Sequence, residues 1–220
     1  MARLARIVVP GLPHHVTQRG NGRAKVFFTP EDYALYNNLL VEHCRAANVG
    51  IWAWCLMPNQ VHLILTPADL DGLRRALAKL HRAYAGIIHA RQKKTGHFWQ
   101  GRFGAVAMDE DHLLSAVRYV GLNPVRAGLA KQATDWPWSS AQAHLTGEPD
   151  GVTDLQPMRD RLPSSSGLFD LVETDVAAFD ALRQAESIGR PVGDEVFLGQ
   201  IAGQTGRALK PGKRGAAGQN

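Results

Sequence analysis

The chain has 220 residues, 45% of them hydrophobic and 20% charged, with 25 Lys and Arg against 20 Asp and Glu for a formal net charge of +5. That is a globular composition of one domain with an appendage, or two small ones, with a mild bias toward polyanion partners. It contains no run of the ~18 apolar residues a membrane span needs, no secretion signal and no CxxC, and Cys44 and Cys55 cannot build a disulfide framework, so a cytoplasmic protein is expected.

Residues 14–19 alternate as a strand with His15, Thr17 and Arg19 on one side, and Gly20-Asn21-Gly22 reads as a turn. Thr29-Pro30-Glu31-Asp32 opens a helix, with Thr29 at the N-cap, Pro30 at the first helical position and Asp32 completing a capping box. Its apolar stripe is Tyr33, Tyr36, Leu39, Leu40 and Cys44. Residues 51–56 read as a buried strand, Met57-Pro58-Asn59 as a tight connection and Val61–Thr66 as the next strand. A second helix, from about Leu70 to Gln92, turns Leu73, Leu77, Leu80, Tyr84 and Ile87 inward and its arginines outward. Lys93–Phe103 forms a basic loop and Gly104–Met108 a further strand. Asp109 or Asp111 then caps a helix through Tyr119, and a short piece follows Asn123-Pro124.

The order β-α-β-β-α-β-α predicts an α+β fold, an antiparallel sheet with helices on one face. Residues 1–148 are expected to form this domain and 149–167 a linker that includes Pro163-Ser164-Ser165-Ser166-Gly167. Residues 168–220 are expected as a helical extension, amphipathic over 168–188, with a Gly-rich, basic and disordered end.

From Gly72 to Met108 there is no Asp or Glu. Arg74, Arg75, Lys79, Arg82, Arg91, Lys93, Lys94 and Arg102 stand there among Tyr84, Phe98, Trp99 and Phe103. Cations release counterions from a phosphate backbone and aromatic rings stack unpaired bases, so nucleic acid is the expected partner. Arg19 and Arg126 join Arg74, Arg75, Arg82, Lys93, Lys94, Trp99 and Arg102 as candidate DNA contacts.

On the strand after Pro58, Gln60 and His62 share one face while Val61, Leu63 and Leu65 take the other. An amide oxygen and an imidazole at i, i+2 can serve one metal ion; a hydrogen-bonded histidine on a half-exposed sheet is the plainer alternative. Tyr119 and Asn123 are one turn apart if the helix continues. Alternatively, Asn123 caps a new helix with Pro124 at its first position. His14 and His15 are open to two readings, as contacts to DNA or the site or as residues of a half-buried strand. A phenol beside a divalent cation suits attack on a phosphodiester, with the cation neutralising charge on a non-bridging oxygen.

With these residues in view, the chain resembles the single-tyrosine HUH transposases, and within them the REP-associated tyrosine transposases of bacteria. The resemblance covers about residues 5–145 and rests on five segments: 15–20 (HVTQRG), 54–63 (WCLMPNQVHL), 98–103 (FWQGRF), 119–128 (YVGLNPVRAG) and 136–140 (WPWSS). It implies a ferredoxin-like catalytic domain that nicks and rejoins hairpin-bearing single-stranded DNA, such as REP-like elements, through a 5′-phosphotyrosine on Tyr119. It further implies Mg²⁺ or Mn²⁺ held by Gln60, His62 and Asn123, with Gln60 where the family usually has its first histidine. Bacterial nucleoid DNA becomes the expected location, and a homodimer is left open. The alternative is a domesticated DNA-binding protein whose catalysis is weakened by Gln60; an RNA-binding module is a third reading.

Overall fold

The computed structural model describes residues 6–162, 164–170, 175–207 and 209. Pro163 of the expected linker, part of the expected helix 168–188 and the Gly-rich end 211–220 lie outside the described residues. Four strands, β1 (His14–Arg19), β2 (Val49–Met57), β3 (Gln60–Pro67) and β4 (Gly104–Ala107), form one antiparallel sheet in the order β2-β3-β1-β4. The α+β architecture is therefore the expected one.

The first face of the sheet carries α1 (Pro30–Ala46) and α2 (Gly72–Gln92). Val16, Trp54, Leu56, Val61, Leu63 and Leu65 point to it, as strand alternation requires. Tyr36, Leu40, Leu77, Leu80 and Tyr84 fill the space between helices and sheet and are wholly buried. Each such leucine contributes roughly 1.5–3 kcal/mol by leaving water. At the start of α1, Asp32 Oδ2 accepts from the backbone N–H of Phe28 (2.8 Å) and of Thr29 (3.1 Å), the carboxylate half of the expected capping box. The inward stripe of α2 ends on Ile88, and Ile87 is 45% exposed. At ~100° per residue Ile88 falls about 40° from Tyr84 and Ile87 about 60° the other way.

The second face is also covered. Ala53, Cys55, Met57, Ile64 and Val106 lie under α3 (Glu110–Arg126) and under α6 (Asp175–Ile188) of the C-terminal extension. The physical reason lies in β2, whose unbroken apolar run supplies core to both sides rather than alternating with polar residues. Asp109 caps α3, accepting from the N–H of His112 at 2.9 Å. The helix runs through Asn123-Pro124 without a break. Pro124 withholds one N–H from the ladder, and the helix is held across it by packing: Val120, Leu122, Asn123 and Pro124 are all buried.

Both margins of the sheet are occupied. Leu56 N–H donates to Trp138 O (2.8 Å), Ser140 N–H to Trp54 O (2.9 Å) and Asp154 N–H to Ile51 O (2.8 Å), so residues 138–154 run along β2. The Trp136 indole donates to Leu56 O (3.1 Å), and the Trp138 ring stacks on Tyr33 with centroids 4.6 Å apart. Short helices α4 (Ala141–Thr146) and α5 (Gln156–Arg159) follow. Residues 149–162 are thus held against the sheet. At the other margin Val192 N–H donates to Ala107 O (2.9 Å), just before α7 (Glu195–Thr205).

Candidate active site

Antiparallel register places Thr17 opposite His62 and Arg19 opposite Gln60. His15, Thr17 and Arg19 therefore share the second face of the sheet with Gln60 and His62. The α3 helix lays Tyr119 on that face, and α6 adds Phe179, Arg183 and Glu186.

The imidazoles of His15 and His62 stack with centroids 5.4 Å apart at 18°, and His15 Nε2 lies 3.2 Å from His62 Nδ1. The Tyr119 ring stands edge-on to both, 5.6 Å from each centroid. Glu186 Oε1 is 3.3 Å from His15 Nδ1 and 3.9 Å from His62 Nδ1. His15 and His62 are 1% and 2% exposed, and burial holds both imidazoles neutral: it pulls His15 down to about 3 and, with the Arg19 guanidinium and the cost of a second positive ring beside His15, draws His62 well below its usual value. Burial likewise pushes the Glu186 carboxyl up to about 7 against the pull of Arg19 and Arg183. The Tyr119 phenol is also raised, first by burial and then by Glu186, while Arg183 and Arg19 oppose the shift. Phe179 packs on the Tyr119 ring at 5.3 Å, leaving Tyr119 only 5% exposed.

An adjoining cleft of about 720 Å³ is lined by Arg6, Arg19, Arg102, Arg183, Tyr119 and Glu186, among others. Burial and the nearby Arg102 charge pull Arg6 down to about 10. Four guanidinium groups facing one carboxylate make this cleft suited to a polyanion.

Of the residues singled out in the sequence, Gln60 and His62 do lie on one face, but Gln60 Oε1 accepts from Arg19 Nε (2.9 Å) and Nη2 (2.6 Å). The imidazole beside His62 is His15. Asn123 sits one turn after Tyr119 on α3, 8% exposed, its Nδ2 without a partner among the described residues. Arg126 lies on the exposed end of α3 with its guanidinium 5.3 Å from the Tyr119 ring centroid.

The basic segment is less bare than its composition suggests. Arg74 pairs with Asp71 (2.5 Å), Arg75 with Asp69 (2.6 Å) and Arg91 with Asp32 (2.5 Å), all carboxylates from outside the acid-free stretch. Arg82, Lys93, Lys94 and Arg102 are exposed. Trp99 is half-buried: its indole donates to His81 O (3.0 Å), and its ring packs on His81 at 4.9 Å and on Phe98 at 4.9 Å. It serves as a wedge between loop and α2 more than as a free stacking surface. The short run from Asp109 to His112 is a helix cap, as its position suggests.

Glu186 escaped the sequence reading. Its signal is a carboxylate four residues beyond Leu182 and seven beyond Phe179, on the buried stripe of an amphipathic helix.

His15, His62 and Glu186 are the described residues whose His, Cys, Asp or Glu donor atoms gather as a metal site would require, all within 4.8 Å of one another. His15 Nδ1, His62 Nε2 and Glu186 Oε1 are buried with no hydrogen-bond partner among the described residues. Such orphaned atoms are costly unless a further group meets them, so the donor set fits a cation. No helix among the described residues is long and apolar enough to cross a membrane.

The sequence profile of the family described as "Transposase IS200 like" matches residues 8–123. The REP-associated tyrosine transposase of Escherichia coli (strain K12) is 28% identical over 123 residues, covering 54% of this chain and 70% of that one. A Haemophilus influenzae protein provisionally given the same name is 27% identical over 118 residues, covering 49% of this chain and 65% of that one. A solved REP-associated tyrosine transposase bound to a REP hairpin superposes with a TM-score of 0.55 at 23% identity, over 70% of this chain and 90% of that chain. That likeness extends to the α+β fold.

Proposed function

Because the chain belongs to the IS200-like transposase family, we propose that it cuts and rejoins single-stranded, hairpin-bearing DNA through Tyr119. The observation that carries this reading is the Tyr119 ring set edge-on to His15 and His62 and lining an arginine-rich cleft. The name of the Escherichia coli relative, with the REP hairpin bound in the solved relative, supports REP-like hairpins as the substrate class.

Tyr119 Oη attacks the phosphorus, the bond from phosphorus to the 3′ oxygen breaks, and the departing 3′ oxygen takes up a proton. The product is a 5′-phosphotyrosine, and attack by a 3′-hydroxyl reverses the step without an external energy source. The phenol proton leaves against the raised phenol pKa, so Arg183 and Arg19, which favour the phenolate, are assigned to ease its loss. Arg19, Arg102 and Arg126 are assigned to hold the sugar–phosphate backbone. A divalent cation such as Mn²⁺, held by His62 together with neighbouring donors, with Asn123 a candidate among them, would neutralise charge on the non-bridging phosphate oxygens when bound.

The test is incubation of the full chain with hairpin-bearing single-stranded oligonucleotides and Mn²⁺, followed by denaturing electrophoresis. A covalent adduct that disappears in Tyr119→Phe is expected, and adducts that persist in that variant refute the assignment. A second reading, DNA binding without cleavage, is favoured by the cover that Phe179 places on Tyr119. It predicts specific hairpin binding with no adduct in any metal.

A further inference from the structure

We propose that His15, His62 and Glu186 hold a first-row transition-metal dication, and that Gln60 stays outside its shell as the positioning residue of Arg19. This rests on the strand-transfer reading for its purpose but not for its evidence, which is the geometry of the second sheet face. Strand register brings His15 one diagonal step from His62, and α6 delivers the carboxylate from the C-terminal extension.

With one nitrogen taken from each ring, Glu186 Oε1 stands 3.3 Å from His15 Nδ1 and 3.9 Å from His62 Nδ1. One donor atom from each of the three residues lies within 4.8 Å of the others, a spread that a small inward shift brings to the span of one ion's ligands. Ligand atoms about 2.0–2.2 Å from a metal stand roughly 3–3.6 Å from each other. Three polar atoms in this cluster are orphaned in a buried pocket. By contrast, the Gln60 oxygen already accepts two hydrogen bonds from a guanidinium, which uses both of its lone pairs and places a positive charge beside it. A cation entering there would meet Arg19 first.

The donor chemistry also selects the ion. Two imidazoles and one carboxylate suit Mn²⁺, Co²⁺ or Zn²⁺, whereas Mg²⁺ prefers an all-oxygen, largely hydrated shell. The place that Gln60 leaves open is thus taken by an imidazole from the neighbouring strand, and the third ligand comes from more than 120 residues downstream.

The test is a titration of the metal-free full chain with Co²⁺ in the absence of DNA, read by calorimetry and by visible absorption. One ion per chain is expected, with the d–d bands of mixed nitrogen and oxygen coordination. His15→Gln and the isosteric Glu186→Gln should each weaken binding by at least about tenfold, with the circular dichroism of the parent. Gln60→Ala should bind within about threefold of the parent, and a large excess of Mg²⁺ should not displace Co²⁺. Parent-like binding by the Glu186→Gln and His15→Gln variants, loss of binding in Gln60→Ala, or displacement by Mg²⁺ overturns the proposal. Because no DNA is present, a chain that binds Co²⁺ as described yet forms no adduct refutes strand transfer and leaves this site standing.

Discussion

Arg19 Nε and Nη2 both donate to Gln60 Oε1, at 2.9 and 2.6 Å, across paired positions of β1 and β3. The amide thereby orients a guanidinium that lines the cleft. Arg19→Ala is expected to weaken binding of a hairpin oligonucleotide by about tenfold, the size of one charge-assisted hydrogen bond. Gln60→His is expected to leave adduct yield within threefold of the parent. Fluorescence anisotropy and adduct gels measure the two effects, and a silent parent that gains cleavage with Gln60→His favours the binding-only reading.

The salt dependence of DNA binding separates the exposed cations that pair with no carboxylate among the described residues from the paired ones. Neutralising Lys93, Lys94 and Arg102 together should lower the slope of log K against log salt by up to about 2, at ~0.7 per phosphate contact on single strands. Neutralising Arg74 and Arg75 should change it little, because Asp71 and Asp69 already face them. Equal changes in the two variants would contradict this division of the basic segment.

The Asp32–Arg91 pair should make part of the stability acid-labile. Burial pushes the Asp32 carboxyl up, but the Arg91 guanidinium and the amides of Phe28 and Thr29 outweigh it and hold the folded value below the ordinary one. A lowered folded value means stability that is present above the unfolded pKa and lost as pH falls through the folded one. Asp32→Asn is expected to cost about 1–3 kcal/mol in urea denaturation at pH 7. The difference from the parent should shrink as the pH is taken down below the ordinary carboxylate range.

Gly121 lies on α3 directly beneath the Phe169 ring, and a methyl group there would enter the ring's van der Waals envelope. Arg118, one turn earlier, donates to Leu168 O and Asp170 O, so this stretch of α3 is where the extension docks. Gly121→Ala is expected to destabilise the chain by about 1–3 kcal/mol through overpacking. A thermal melt indistinguishable from the parent would show that Phe169 yields freely.

Much of this was legible from local pattern. The period-2 alternation of β3 separates Gln60 and His62 from Val61, Leu63 and Leu65, and the Thr29-to-Asp32 signature marks the start of α1. Tyr119 and Asn123 fall on one helix, because burial of Val120, Leu122 and Pro124 outweighs the disturbance from proline. What local pattern does not carry is the meeting of distant segments. The approach of His15 to His62 depends on the register of β1 against β3. Glu186 arrives from another part of the chain, and the carboxylates that answer Arg74, Arg75 and Arg91 stand outside the stretch whose composition drew attention. Trp99 resembles a stacking platform until the acceptor of its indole N–H, His81 O, is known.

The segment from Trp138 to Asp154 that runs along β2, and the contact of Val192 with β4, bear on self-association. A second copy of the chain, approaching either flank, would find the Leu56 and Trp54 amides and the carbonyls of Ile51, Trp54 and Ala107 already in hydrogen bonds. Extension of the sheet along β2 from one molecule into the next would first have to peel this strap away.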